Sequence, residues 1–197
     1  MAKTIHLVRH AIYEEFNPHA PRFIGHSDPH LSKDGQNQAR SLSARFEEIS
    51  HLPIYSSTSR RAQQTAQLAF PSAKIEVLPE AKEIYFGELE GLNIAEATML
   101  FPEFVTNTDL FQNRNYRPAG GENLNDVTQR AVNVMETLEA KDSFVLVSHA
   151  IFISVLAHHL CGYSDALKQT LPFCGHLKLS LKVPEDPYFQ VSSNQYE

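Results

Sequence analysis

Thr4-Ile5-His6-Leu7-Val8-Arg9-His10 and Ser143-Phe144-Val145-Leu146-Val147-Ser148-His149 decide the fold of this chain. Each is a short apolar run, rich in β-branched residues, that stops abruptly at polar residues ending in His. Runs of that length and continuity read as strands buried on both faces. Helical spacing lies between them. Ser32 is placed to N-cap a helix carrying Ala39, Leu42 and Phe46 at three- and four-residue intervals. A short strand at 53–57 leads to a helix from about Ser59 to Phe70, and 75–78 is another short strand. Gly120-Gly121 is expected to open a helix from Glu122 to Ala140, with Leu124, Val127, Ala131, Val134 and Leu138 on one face. An apolar helix follows over 150–161, and 176–183 with 187–192 suggests a closing hairpin around Pro184. Strands alternating with helices predict an α/β protein: a three-layer α/β/α sandwich whose central sheet is mainly parallel.

The 197 residues carry no repeat and no linker, so the reading is one domain over 1–197, with an excursion at 92–118 capping the site. Residues 11–32 form a long loop rich in Pro, His, Asn and Asp, and loops of that length are usually functional or disordered.

Composition narrows the function classes. Lys and Arg total 17 against 23 Asp and Glu, a net charge of −6. That balance speaks against a nucleic-acid partner, which needs clustered cations to displace counterions. The longest apolar stretch, 143–157, is broken by Ser148 and His149 and is too short to span a bilayer, so no membrane partner is expected. The first residues lack the apolar segment of a signal peptide, and the two cysteines, Cys161 and Cys174, have no metal-binding or redox spacing. A cytoplasmic location follows as the expectation. A homodimer stays open. Protonating all ten histidines would move the charge from −6 to +4, so any that do chemistry matter.

Ligands of open α/β sheets bind beyond the carboxyl ends of the strands. There the sequence offers Arg9 and His10, then Ser56-Ser57 with Arg60 and Arg61, then Glu83, then Ser148 and His149. Two arginines beside two histidines suit a phosphoryl group. The guanidinium fork matches its oxygens, a neutral imidazole can attack phosphorus, and a second imidazole can hold the transition state's charge. A carboxylic acid whose pKa is held up can protonate the leaving oxygen. Some of these residues have plainer readings. His149 after so apolar a strand also suits a hydrogen-bonded core histidine, Glu83 an exposed loop carboxylate, and Arg22 a structural ion pair. Arg61 is preferred over Arg60 for the site because of its spacing to Ala62. His6 points to another face by strand alternation. Arg114 and Arg117 suit surface charge or substrate contact.

The motifs resemble those of the histidine phosphatase superfamily, also called phosphoglycerate mutase-like. Leu7-Val8-Arg9-His10-Ala11 is similar to its Leu-Val-Arg-His-Gly signature. Arg22-Phe23-Ile24-Gly25, Asp28, Leu31-Ser32, Gly35 and Gln38-Ala39 follow its next series. Ser56-Ser57, Arg61-Ala62 and Gln64-Thr65-Ala66 resemble its Ser-Ser…Arg-Ala…Gln-Thr-Ala block. Glu83 with Gly87-Glu88-Leu89-Glu90-Gly91, Gly120-Gly121-Glu122-Asn123 with Arg130, and Val147-Ser148-His149-Ala150 complete the set. The resemblance implies that His10 is the nucleophile and becomes phosphorylated. It implies that Arg9, Arg61 and His149 bind the transferring group, and that Glu83 is the proton donor. It implies no metal and no cofactor. Asn17, Arg22, Gly25 and Ala150 are the further substrate-binding candidates. Ala11 and Ala150 stand where the family has glycines, and Leu89 where it has Trp.

The resemblance implies a phosphatase acting on a small phosphorylated metabolite through a phosphohistidine. A cofactor-dependent phosphoglycerate mutase is the alternative, though Ile84-Tyr85 replaces the Arg-His pair that mutases carry near the acid. A non-catalytic phosphate-binding module is the third reading. The Arg-Phe-x-Gly…Asp series is also similar to α-ribazole phosphatases. The rim aromatics Tyr13, Phe16, Phe23, Tyr85, Phe104, Phe111 and Tyr116 suit an organic leaving group with an apolar or ring portion.

Overall fold

In the computed structural model, which describes residues 3–102, 113–162, 171–181 and 195–196, the two opening stretches lie side by side. Strand β1 (Lys3–Arg9) and strand β4 (Ser143–Ser148) pair in parallel, from Thr4 opposite Ser143 to Arg9 opposite Ser148. Arg9-His10 and Ser148-His149 therefore emerge together. Strand β2 (Ile54–Ser57) runs parallel on the other side of β4, and β3 (Ile75–Leu78) runs parallel to β2 at the edge. Strands β5 (His176–Leu181) and β6 (Gln195–Tyr196) extend the sheet beyond β1 with antiparallel pairing, giving the order β3-β2-β4-β1-β5-β6. The expected second hairpin arm, 187–192, lies outside the described residues.

Alternation along β1 and β4 fills two cores. Ile5, Leu7, Phe144 and Leu146 face the helices α4 (Leu124–Thr137) and α5 (Ala150–Cys161), meeting Val127, Ala131, Phe152 and Leu156. Val8, Val145 and Val147 face α1 (Lys33–Arg45) and α2 (Arg60–Ala69), meeting Leu42, Ala62, Ala66 and, just past α1, Phe46. Helices thus cover both faces, as the apolar strands require: the protein is a three-layer α/β/α sandwich around a mixed, centrally parallel sheet.

Capping sets the helix bounds. The Ser32 side chain accepts from the Gly35 amide and starts α1 where expected. Helix α4 begins two residues later than the expected Glu122, because a capping box between Asn123 and Asp126 sets its start. It ends at Thr137, before Ala140. Gly120-Gly121 instead makes a turn, with Gly120 at φ +69°. A side chain on Gly121 would meet the Tyr85 carbonyl oxygen at 2.8 Å. A second capping box, Asn93 with Glu96, opens α3 (Ile94–Leu100) inside the 92–118 excursion. Phe104 and Phe111 fall outside the described residues. Among the described residues no helix is long and apolar enough to cross a membrane.

Candidate active site

The carboxyl ends of β1, β2 and β4 converge on one buried cluster. His10 follows β1 and is 4% exposed, while Arg61 in the first turn of α2 and His149 at the start of α5 are fully buried. The rings of His10 and His149 lie 5.1 Å apart between centroids. His10 Nδ1 is 2.8 Å from the Ala11 carbonyl oxygen. A carbonyl only accepts, so Nδ1 carries the proton and the Nε2 lone pair is left for chemistry. Arg61 Nε donates to that Nε2 at 3.3 Å. Burial first, then Arg61 and Arg9, hold the His10 pKa well below the usual imidazole value, so the ring is neutral at neutral pH.

Arg61 is a fixed fork. Its Nη1 donates to the Ser27 carbonyl at 2.7 Å and its Nη2 to the Gly25 carbonyl at 2.9 Å. The segment supplying those carbonyls is itself gathered by Glu90, whose carboxylate accepts from the Gly25, His26 and Ser27 amides at 2.9, 3.0 and 3.2 Å. Gly25 is required there, since a Cβ would fall 2.0 Å from the Ile84 carbonyl oxygen. Arg9 lies across the cluster, with Nη1 donating to the Leu171 carbonyl at 2.6 Å and Cζ 4.1 Å above the Phe173 ring. Arg9 Nε and His149 Nδ1 are both buried with no hydrogen-bond partner among the described residues. Buried polar atoms are costly to leave unpaired, and an orphaned guanidinium N–H and an orphaned imidazole nitrogen in the cluster of the His10 lone pair suit an anionic ligand.

Glu83 follows β3 by way of a 3-10 turn over 79–81 and is buried. Its Oε1 accepts from the Ile84 and Phe152 amides at 3.0 and 3.1 Å, and its Oε2 from the Ile151 amide at 3.1 Å. It thus caps the N-terminus of α5 from a distant segment. Burial pushes its pKa up, against the pull of these amides and of Arg61. Arg130 and Glu122 hold the segment in place: they pair at 2.8 Å, and Arg130 also donates to the Lys82 carbonyl at 2.8 Å. The group can therefore hold a tetrahedral oxyanion, present a neutral imidazole nucleophile and offer a carboxyl group of raised pKa.

The remaining candidates lie farther out. Asn17 and Arg22 line a cavity of about 620 Å³ beside Tyr13, together with Ile24, Ser27 and His30. Arg22 is held by Glu96 at 2.8 Å and by the Gly91 carbonyl at 2.6 Å, and the Asn17 carboxamide accepts from the His19 amide at 2.9 Å. Ala150 is the buried first residue of α5. Arg60, unlike Arg61, points outward and meets Asp28 at 3.5 Å. Arg114 and Arg117 bond to Thr128 and Asp126 on α4. His6 shares the face of β1 with Val8 rather than pointing to another one; it stands apart from the site because it lies four residues before His10, and its Nδ1 meets His176 Nε2 at 2.9 Å beside Phe46. Among the described residues no group of three His, Cys, Asp or Glu could hold a metal ion.

Sequence reading gave no role to Glu90, Ser57 or Phe173. Glu90 and Ser57 sat inside the quoted motifs, but their partners lie 63 to 92 residues away. Phe173 carried no local signal.

Comparison with known proteins shows the family and the fold. The profile of the histidine phosphatase superfamily (branch 1) matches residues 5–192. A 6-phosphofructo-2-kinase/fructose-2,6-bisphosphatase of Caenorhabditis elegans is 32% identical over 163 residues, covering 80% of this chain but 34% of that protein. A metal-independent phosphoserine phosphatase of Arabidopsis thaliana is 31% identical over 157 residues, covering 76% of this chain and 66% of that protein. The chain therefore spans about a third of the former and about two thirds of the latter. The solved mycobacterial glucosyl-3-phosphoglycerate phosphatase superposes with a TM-score of 0.82 at 23% identity, covering 92% of this chain and 91% of that one. The α-ribazole phosphatase of Shigella flexneri does so with a TM-score of 0.77 at 22% identity, covering 91% of each chain. Ordered motifs, converging strand ends and the profile match agree, and the chain belongs to the histidine phosphatase superfamily.

Proposed function

We propose that the protein is a phosphomonoesterase that hydrolyses a small organic phosphate ester through a phosphohistidine at His10. One observation carries the reading: the His10 Nε2 lone pair sits beside Arg61, among the unpaired buried donors of Arg9 and His149. A phosphate monoester bound there places phosphorus before Nε2 and its oxygens against the two guanidinium groups and His149 Nδ1. Attack forms the N–P bond as the ester P–O bond breaks, and Glu83 gives its proton to the departing alkoxide. The Glu83 carboxylate then takes a proton from water as that water attacks phosphorus, which releases phosphate and restores His10. No step requires a metal or cofactor. The cavity of about 620 Å³ is large enough for a metabolite-sized leaving group.

The mutase alternative needs a cationic grip for a second anionic group near the acid. Here Ile84 is buried in the core, and Tyr85 stacks on His26 with centroids 4.7 Å apart. Neither supplies a charge of its own, which favours hydrolysis.

The test is a panel of phosphate esters with purified protein in EDTA across about pH 5–8. Release of inorganic phosphate and an acid-labile phosphoenzyme are expected, with both abolished in His10→Ala. Near-normal turnover by His10→Ala overturns the assignment. Isomerisation of 3-phosphoglycerate that depends on a bisphosphate primer would replace hydrolysis with the mutase reaction.

A further inference from the structure

We propose that Ser57 is a positioning residue whose hydroxyl fixes the tautomer of His149, so that Nδ1 presents its proton to the phosphoryl group. The proposal rests on the phosphatase reading only for the identity of the group that Nδ1–H meets.

The sheet brings the two residues together. Ser56 on β2 stands opposite Val147 on β4, so the next residues at the strand ends, Ser57 and Ser148-His149, lie at one edge. Ser57 and His149 are both fully buried. Ser57 Oγ lies 2.8 Å from His149 Nε2, and it accepts from the Ser59 amide at 3.2 Å. The hydroxyl proton has two acceptors in reach, His149 Nε2 at 2.8 Å and Ser59 Oγ at 3.5 Å, and the shorter contact assigns it to the imidazole. Nε2 then accepts, and the single proton of the neutral ring is placed on Nδ1. Nδ1 is the atom of this ring without a hydrogen-bond partner among the described residues. The opposite tautomer would turn a lone pair toward phosphoryl oxygens, which are themselves acceptors.

The surroundings keep the resting ring neutral. Burial is the main cause, and Arg61 on α2, His10 and Arg9 at the end of β1, and Arg130 on α4 all disfavour a second proton. Glu83 faces the same helix end from the segment after β3. An incoming phosphoryl dianion offsets the cations and makes a second proton more favourable. That proton would sit on Nε2 and donate to Ser57 Oγ, whose own proton can turn to Ser59 Oγ at 3.5 Å. The hydroxyl therefore serves both charge states while Nδ1–H stays on the phosphoryl group. Alanine serves neither, and threonine keeps the hydroxyl.

The test reads the tautomer directly. Long-range ¹H–¹⁵N spectra of labelled protein at neutral pH separate the two tautomers, and the His149 signals are those lost in His149→Gln. The native protein and Ser57→Thr are expected to show the Nδ1–H pattern, and Ser57→Ala a mixture. In turnover, Ser57→Ala is expected to lose about 10- to 100-fold in kcat with a smaller change in KM. Its kcat–pH profile is expected to shift, and Ser57→Thr to restore both. A merely structural serine would change thermal stability without moving the tautomer or the profile. A native Nε2–H pattern, or Ser57→Ala with native tautomer and kcat, overturns the proposal. Should Ser57→Ala not fold, the native and Ser57→Thr spectra still decide. A native Nδ1–H pattern without turnover of any ester overturns the phosphatase reading and leaves the role of Ser57 standing.

Discussion

Glu83 is pulled in two directions, and the balance gives the residue its use. Three backbone amides and the Arg61 charge favour its carboxylate, while burial favours the neutral acid and prevails. The His10 pKa is moved the opposite way. A rate that needs neutral His10 falls as pH drops through a depressed pKa, and one that needs protonated Glu83 falls as pH rises through a raised one. The two shifts therefore widen the working range between them, as for other acid–base pairs set by environment. Glu83→Gln keeps an oxygen for the α5 amides but cannot give up an acidic proton. Its kcat/KM should fall by about 10²–10⁴ on alkyl phosphates and far less on p-nitrophenyl phosphate, whose leaving group needs little protonation. The alkaline limb of the pH profile should disappear. Equal loss on both esters would remove Glu83 from the proton-donor role.

The same contest operates between elements, where β1 meets β5. His6 Nδ1 lies 2.9 Å from His176 Nε2, and His176 also packs edge-on to Phe46 at 5.1 Å. Burial first, then His6, Arg45 and Lys178, hold the His176 pKa down at about 4. An unfolded histidine titrates near 6.5, so between about pH 6.5 and 4 the unfolded chain binds more protons than the folded one, and stability falls as pH falls through that window. His176→Gln removes the titration. The loss of Tm on acidification from about pH 7 to 4.5 should be smaller in the variant than in the native protein. An unchanged loss would clear His176 as a source of acid sensitivity. The link reaches the site, because the Arg9 amide donates to the Gly175 carbonyl and Arg9 Nη1 to the Leu171 carbonyl, both just before β5. Elements were legible in sequence to the extent that their causes were local. The apolar runs of β1 and β4 and the Ser32 cap announce themselves within a few residues. The start of α4 differs from the expectation at Gly120-Gly121 because the Asn123–Asp126 capping box competes with a glycine turn, and only the box satisfies the helix's free amides. The His6–His176 pair joins residues 170 positions apart and has no local signature.

Across the whole molecule, a net charge of −6 conceals a local cluster of cationic side chains. Arg61 is buried and Arg9 half-buried at the carboxyl edge of the parallel strands, while much of the acidic excess stands on the surface. Sequence order made the cluster's principal members visible, because βα repetition delivers every strand end to one edge. It did not show Glu90 gathering the 25–27 amides, or Phe173 beneath Arg9, since those contacts depend on how distant loops fold back over that edge. The cluster also makes a prediction for the molecule as a unit. Folding holds the Arg9 and Arg61 guanidinium groups close enough to disfavour each other's charge, beside two neutral imidazoles, with Glu83, Asp28 and Glu90 offsetting part of the Arg61 charge. A tetrahedral oxyanion that binds only the folded state relieves that repulsion. Ligand at 100 times its Kd stabilises by about 2.7 kcal/mol. For a chain of this size each kcal/mol is worth about 2–4 °C, so tungstate should raise Tm by roughly 5–10 °C. Sodium chloride at equal ionic strength should not reproduce the rise, because the donors are buried and placed for a tetrahedral ligand. Arg61→Ala and His149→Gln should each reduce it. A tungstate response that survives in both folded variants would place the oxyanion elsewhere on the molecule.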